Sequence, residues 1–206
     1  MNTFLKTLLD TIGIDVGHLK TEYLSEEELR HLDGALKSLE DFELDFYSNA
    51  YGDRLEVLLQ FLSVHKGVII ALMKNNSKKS MLIELYTSDV ISGSYDCFRF
   101  DLSKFPKHYE SRNQVLTLYR IGRVDESEEN LGCSWSKSID GLKVFIQSSS
   151  ISEDTLTKRP IFEMQVNDSE VLFAGSNKEQ ELVLKAGFVY NMLKLLDAKK
   201  ISKTSI

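Results

Sequence analysis

Five apolar residues, Leu29, Leu32, Leu36, Leu39 and Phe42, recur at spacings of three and four through SEEELRHLDGALKSLEDFELDFY. That period lines them along one stripe of an α-helix and turns the charged residues between them to water. Ser25, followed three residues later by Glu28, is a capping-box start for such a helix. The same logic predicts a helix over DRLEVLLQFLSVH, capped by Asp53 and burying Leu55, Leu58, Leu59 and Leu62. SKKSMLIELYTSDV continues the helical style, whereas VIIALM is too short for periodicity to decide between a buried strand and a helix. From about Asn113 the texture changes. QVLTLYRIG, PIFEMQV and ELVLKAGFVY are short bursts of β-branched and aromatic residues, the pattern of strands. Between the first two, SIDGLKVFIQ reads as a short helix burying Leu142, Phe145 and Ile146, with Lys143 in water. The expectation is an α+β chain: a mainly helical N-terminal region over 1–112 and a β-rich region over 113–206, packed on each other.

Several classes of chemistry lack their signatures. No GxGxxG fingerprint or Walker loop is present, and His18, His31, His65 and His108 are scattered away from the cysteines, so no metal is expected. Cys97 and Cys133 give no disulfide framework, and Cys133 reads as a small hydrophobe rather than a nucleophile. Ser148, Ser149 and Ser150 read as a loop. The opening MNTFLKTLLDTIGID carries charge too early for a secretory signal, and no run reaches the ~18 apolar residues of a membrane span, so a cytoplasmic location without membrane contact is expected. A net charge of −6 disfavours a dedicated duplex-DNA binder. The charge is uneven, however: Arg99, Lys104, Lys107, Arg112, Arg120 and Arg123 precede the acidic stretch VDESEEN. This reads first as solvated surface, with a local anion pocket as the alternative.

Three short elements carry candidate chemistry. The first is SNKEQELVLKAGF, where Glu179 and Glu181 flank a glutamine at the head of an apolar run. Glu-x-Glu also occurs at Glu26/Glu28 and Glu126/Glu128, but those pairs fall at a helix start and in the acidic loop. On a strand, residues two apart share a face at roughly 6–7 Å, a working separation for carboxylates around a glycosidic bond. The second is CSWSKS, in which an extended backbone would place Ser134 and Ser136 on one face and Trp135 on the other. The third is LYRIGR, where Arg120 ends a strand on the face of Leu116 and Leu118; its planar fork suits a diphosphate, with Arg123 as the rival.

In this order the three elements resemble the Arg / Ser-x-Ser / Glu-x-Glu pattern of the ADP-ribosyltransferase superfamily. LGCSWSKSIDGLKVFIQ is similar to the serine strand and following helix of its small bacterial and phage members. The resemblance spans about Val115 to Leu184 and implies a core of two small sheets around an NAD cleft, with the helical half packed on it. It implies that Glu181 is the catalytic glutamate that bonds the nicotinamide ribose and stabilises the developing cation. Glu179 would prepare the acceptor, and its identity as glutamate points to arginine. Ser134 would support the catalytic acid and the nicotinamide side of the pocket, with Ser136 as its companion. Arg120 or Arg123 would bind NAD. NAD is then a substrate, no metal is needed, and the acceptor is a protein or a nucleic acid. A toxin or phage-defence setting, with a neutralising partner protein, fits such a chain. Alternatives are an NAD glycohydrolase using the same site, a non-catalytic helical interaction protein, and a carboxylate-pair glycoside hydrolase.

Overall fold

The computed structural model describes residues 1–44, 46, 53–74, 80–91, 97–149 and 151–197. Contacts divide these into two units, one of 1–91 with 97–105 and the other from 106 onward.

The first unit is helical. Its elements are α1 (Thr3–Thr11), α2 (Val16–His18) running into a π-turn at Leu19–Tyr23, α3 (Glu26–Ala35), α4 (Leu39–Glu43), α5 (Asp53–Val64), α6 (Lys66–Met73) and α7 (Ser80–Tyr86). Ser25 and Glu28 form the expected capping box. The apolar stripe behind it is divided between two helices, because α3 ends when Leu36 turns extended, and Ser38 accepts the Asp41 N–H to start α4. Leu32, Leu36 and Phe42 are nonetheless all buried. Leu55, Leu58, Leu59 and Leu62 are buried on α5 as their spacing predicts, while the side chain of Asp53, the expected cap, lies outside the described residues. VIIALM resolves as the body of α6, which bends from α5 by 72° at the break between them. Around these helices Phe61, Phe98, Phe100 and Phe105 pack largely edge to face, with ring centroids 5.1–6.1 Å apart. Among the described residues no single helix is long and apolar enough to cross a membrane.

The second unit is built on six strands: β1 (Val115–Ile121), β2 (Ser134–Ser136), β3 (Ile161–Asn167), β4 (Val171–Ala174), β5 (Glu181–Leu184) and β6 (Tyr190–Leu196). Helix α8 (Ile139–Ser148) lies between β2 and β3, followed by α9 (Glu153–Thr157). The strands form one sheet in the order β4-β5-β2-β1-β3-β6, every neighbouring pair antiparallel. One sheet therefore stands where two small ones were expected. It is not uniformly bonded, however. β1 pairs with β3 along its whole length but with β2 only at Tyr119↔Ser136. The sheet is thus two triplets, β4-β5-β2 and β1-β3-β6, hinged at a single residue pair.

Each face has its own core. Leu118, Trp135, Phe162, Met164, Val166, Leu182 and Leu184 fill one, as alternation along the strands requires. Ile121 and Ile161 meet Leu142 and Ile146 of α8 and Leu156 of α9 on the other. The serine run after α8 is partly helical, since α8 extends through Ser148; Ser149 is buried, and Ser150 lies outside the described residues.

Residues 106–112 belong with the sheet rather than with the helices, for an electrostatic reason. The His108 and Tyr109 N–H groups both donate to the Leu172 carbonyl, at 2.7 and 2.8 Å. Asp168, fully buried, accepts from the Ser111 hydroxyl (2.5 Å) and from the N–H groups of Arg112 (2.7 Å) and Gln114 (3.2 Å). Burial pushes this carboxyl up, but those donors outweigh it and hold its pKa below the ordinary aspartate value. Asp168→Ala should therefore expose the Arg112 and Gln114 amides to rapid hydrogen exchange, while the β1–β3 ladder keeps its protection. Exchange rates at those two amides equal to wild type would contradict this account of the strap.

Candidate active site

The site is assembled where β5 leaves its turn. Ser134 pairs with Val183 and Ser136 with Glu181, so Ser134 and Glu181 are diagonal neighbours on one face. The Ser134 hydroxyl donates to Glu181 Oε1 at 2.5 Å, and the Ser176 N–H donates to Oε2 at 2.9 Å. One carboxylate is thus oriented from both sides by a β2 side chain and by the backbone of the β4–β5 turn.

Glu179 does not share that strand face. β5 begins only at Glu181, and the residue between them, Gln180, has φ +52°. This left-handed backbone breaks the alternation that the spacing implied. The turn is closed by Glu181 N–H to Ser176 O (2.9 Å) and Gln180 N–H to Asn177 O (3.2 Å). The charge of Glu181 still acts on Glu179. Burial first, and then the Glu181 charge, raises the Glu179 carboxyl to about 7.

Ser136 is a fastening rather than an open ligand-binding hydroxyl. It is buried, with its Oγ 2.8 Å from the Glu179 carbonyl and 2.9 Å from that of Ser138. Alongside, Ser138 Oγ donates to Gln180 Oε1 at 3.0 Å, and the Lys137 N–H donates to the Gln180 carbonyl at 3.0 Å. Gly141, in the first turn of α8, lies so close that a Cβ there would meet Glu179 O at 2.3 Å. The β2–α8 corner thereby holds the acidic turn by its backbone and leaves the Glu179 carboxyl to its surroundings.

Arg120 reaches this group only through a main-chain carbonyl, that of Ser134. It leaves β1 on the face opposite Tyr119, whereas Ser136 and Glu181 lie on the Tyr119 side. Its Nη1 donates to the Ser134 carbonyl at 2.8 Å, at the seam where β1 and β2 part. Nε and Nη2 are taken by Glu126, at 2.6 and 2.9 Å, in a two-pronged ion pair. Three of the five guanidinium N–H groups are thus committed within the protein. This corrects the expectation of an arginine offering its fork to a diphosphate.

Glu126 itself corrects the reading of VDESEEN as solvated surface. It is 5% exposed and also accepts the Gly132 N–H (2.9 Å) and the Arg123 N–H (3.1 Å). Burial pushes it up, yet the Arg120 guanidinium and the two amides prevail and lower its pKa to about 2. In the sequence it is one acid among four, and nothing in the spacing sets it apart. Arg123 retains more freedom: its side chain is 35% exposed, and Nε lies 3.8 Å from Glu126 Oε2 without a hydrogen bond. Cys133 has its thiol pushed up by burial, against the pull of the Arg120 charge. Among the described residues no cluster of His, Cys, Asp and Glu suited to a metal is present.

Comparison of the chain with protein-family models, with curated proteins and with solved structures returned no match.

Proposed function

We propose that the chain is an NAD-dependent ADP-ribosyltransferase, moving ADP-ribose from NAD to a macromolecular acceptor. The observation that carries this reading is the oriented carboxylate: Glu181, held by the Ser134 hydroxyl and the Ser176 N–H, with Glu179 two residues earlier. Glu181 would accept a hydrogen bond from the nicotinamide ribose and offset the positive charge that develops at its anomeric carbon. The bond from that carbon to the nicotinamide nitrogen breaks, and its electron pair leaves with neutral nicotinamide. A lone pair of the acceptor forms the new bond, and the acceptor's proton passes to Glu179. Arg120 supports this arrangement by fixing β2 through the Ser134 carbonyl, which leaves Arg123 as the better candidate to meet phosphate.

A carboxyl that titrates near neutrality suits proton uptake from an acceptor. Glu179 accepts a proton only when ionised, so transfer should rise as pH increases through about 7. Glu179→Gln should remove that limb while release of nicotinamide to water continues. A transfer profile flat between pH 6 and 8 in the unmodified protein would reject this role.

The test of the reading as a whole is incubation with NAD labelled in the adenylate, using a cell lysate as acceptor. Label on protein or nucleic acid, lost in Glu181→Gln, supports it and identifies the acceptor class. Label transfer that persists in the variant removes Glu181 from the role. Nicotinamide released without labelled macromolecules assigns the site to an NAD glycohydrolase. With neither product, the non-catalytic interaction protein takes its place.

A further inference from the structure

We propose that Gly175 is a positioning residue, the absence of its side chain creating the seat on which the Glu181 carboxylate lies between Ser134 and Ser176. The inference rests on the reading of Glu181 as the charge-stabilising acid, but its geometry can be tested without NAD.

A Cβ built at position 175 would stand 2.0 Å from Glu181 Oε2, 2.5 Å from Cδ and 3.0 Å from Cγ. All three of these nearest atoms belong to one side chain. At Gly141, by contrast, an added Cβ meets the main chain of Glu179 as well as Ser136 Oγ. Nor does the backbone at 175 require glycine, since the positive-φ glycines among the described residues are Gly13 and Gly187. The main-chain duty of Gly175 is to donate its N–H to the Glu181 carbonyl at 3.0 Å, which any residue but proline can do. What glycine alone supplies is room.

That room matters because the carboxylate lies over it. With both oxygens bonded, to Ser134 and to Ser176, the side chain has one place to be. A methyl group at 175 would drive Oε2 off the Ser176 N–H and swing the charge into water, away from Glu179. Misplacement of this kind costs catalysis on the order of 10²-fold with little change in substrate binding. The expected kinetic signature of Gly175→Ala is therefore a fall in kcat with KM for NAD nearly unchanged.

The decisive experiment follows the Glu179 carboxyl by carbon-13 NMR titration of the full chain, as wild type, Gly175→Ala, Glu181→Ala and the double variant. In the wild type the midpoint lies at about 7, raised in part by the Glu181 charge. It should fall in Gly175→Ala and in Glu181→Ala by the share that the Glu181 charge contributes, while burial, the larger cause, keeps it above the ordinary 4.5. The double variant should match Glu181→Ala alone, because the methyl then has nothing to displace. If Gly175→Ala does not fold, the double variant should, since the clashing group is gone; this too supports the seat. An unmoved midpoint in folded Gly175→Ala overturns the proposal, as does a double variant that fails to fold or titrates below Glu181→Ala. A wild type inactive toward NAD would end the transferase reading and leave the titration to decide the seat by itself.

Discussion

Glu126→Ala is expected to destabilise the β-rich unit by about 3–5 kcal/mol, the usual consequence of leaving a buried charge without its partner. The variant strands one ion and two backbone amides. Arg120 loses both prongs of its pair, and the Gly132 and Arg123 N–H groups lose their acceptor. Those groups hold 122–132 against the end of β1, and the same guanidinium bonds the Ser134 carbonyl where the two triplets of the sheet meet. Arg120→Ala should cost a similar amount, and the double variant clearly less than the sum, because one loss already contains most of the other. Chemical denaturation of the four proteins reads this directly; additive losses would mean that the pair is not a unit.

The pair also predicts an acid limb, whose sign follows from the lowered pKa. Glu126 titrates at about 2 in the folded chain against an ordinary 4.5. Its contribution is fully present above pH 4.5 and is lost as pH falls from there toward 2. A difference of that size corresponds to on the order of 3 kcal/mol. In Glu126→Gln this part of the acid limb should disappear. Glu179 acts with the opposite sign: its raised pKa favours folding below 4.5, and that contribution fades as pH rises through about 7. Glu179→Gln should therefore flatten the stability profile between those values.

Glu181→Gln is expected to reduce NAD-dependent transfer by roughly 10²–10³-fold, the scale on which an oriented transition-state contact is lost. The size of the effect on rate should contrast with a small effect on stability. A glutamine oxygen can still accept from the Ser176 N–H while its amide N–H donates to the Ser134 hydroxyl oxygen, so the side chain stays oriented with one bond reversed. What disappears is the charge. Ser134→Ala should cost less, since the carboxylate keeps its charge and its Ser176 partner. Steady-state rates beside thermal melts separate these cases: a loss of activity that tracks a loss of folding would assign both residues to structure alone.

Much of this architecture is legible in the order of residues. Apolar spacing of three and four marks α3 and α5, the Ser25–Glu28 pair marks a helix start, and alternation in VLTLYRI and IFEMQV marks β1 and β3. Even the opposed directions of Trp135 and its flanking serines follow from strand geometry, which is local and repeats every two residues. VLFA, too short and too close to β3 to stand out, became the edge strand β4 unannounced.

The site was legible as a set of residue types and not as a set of partners. Ser134 and Glu181 lie far apart in the chain, and only the β2–β5 register makes them neighbours. Glu179 left the strand because Gln180 adopted a left-handed backbone, a choice made by the closing bonds of the turn. Arg120 turned inward because one acid of VDESEEN was buried beside it, and composition treats all four alike. Periodicity is written locally by the geometry of a single backbone. The pairing of charges is decided by what folding brings within about 3 Å, where burial strengthens some contacts and removes the water that would have served the others.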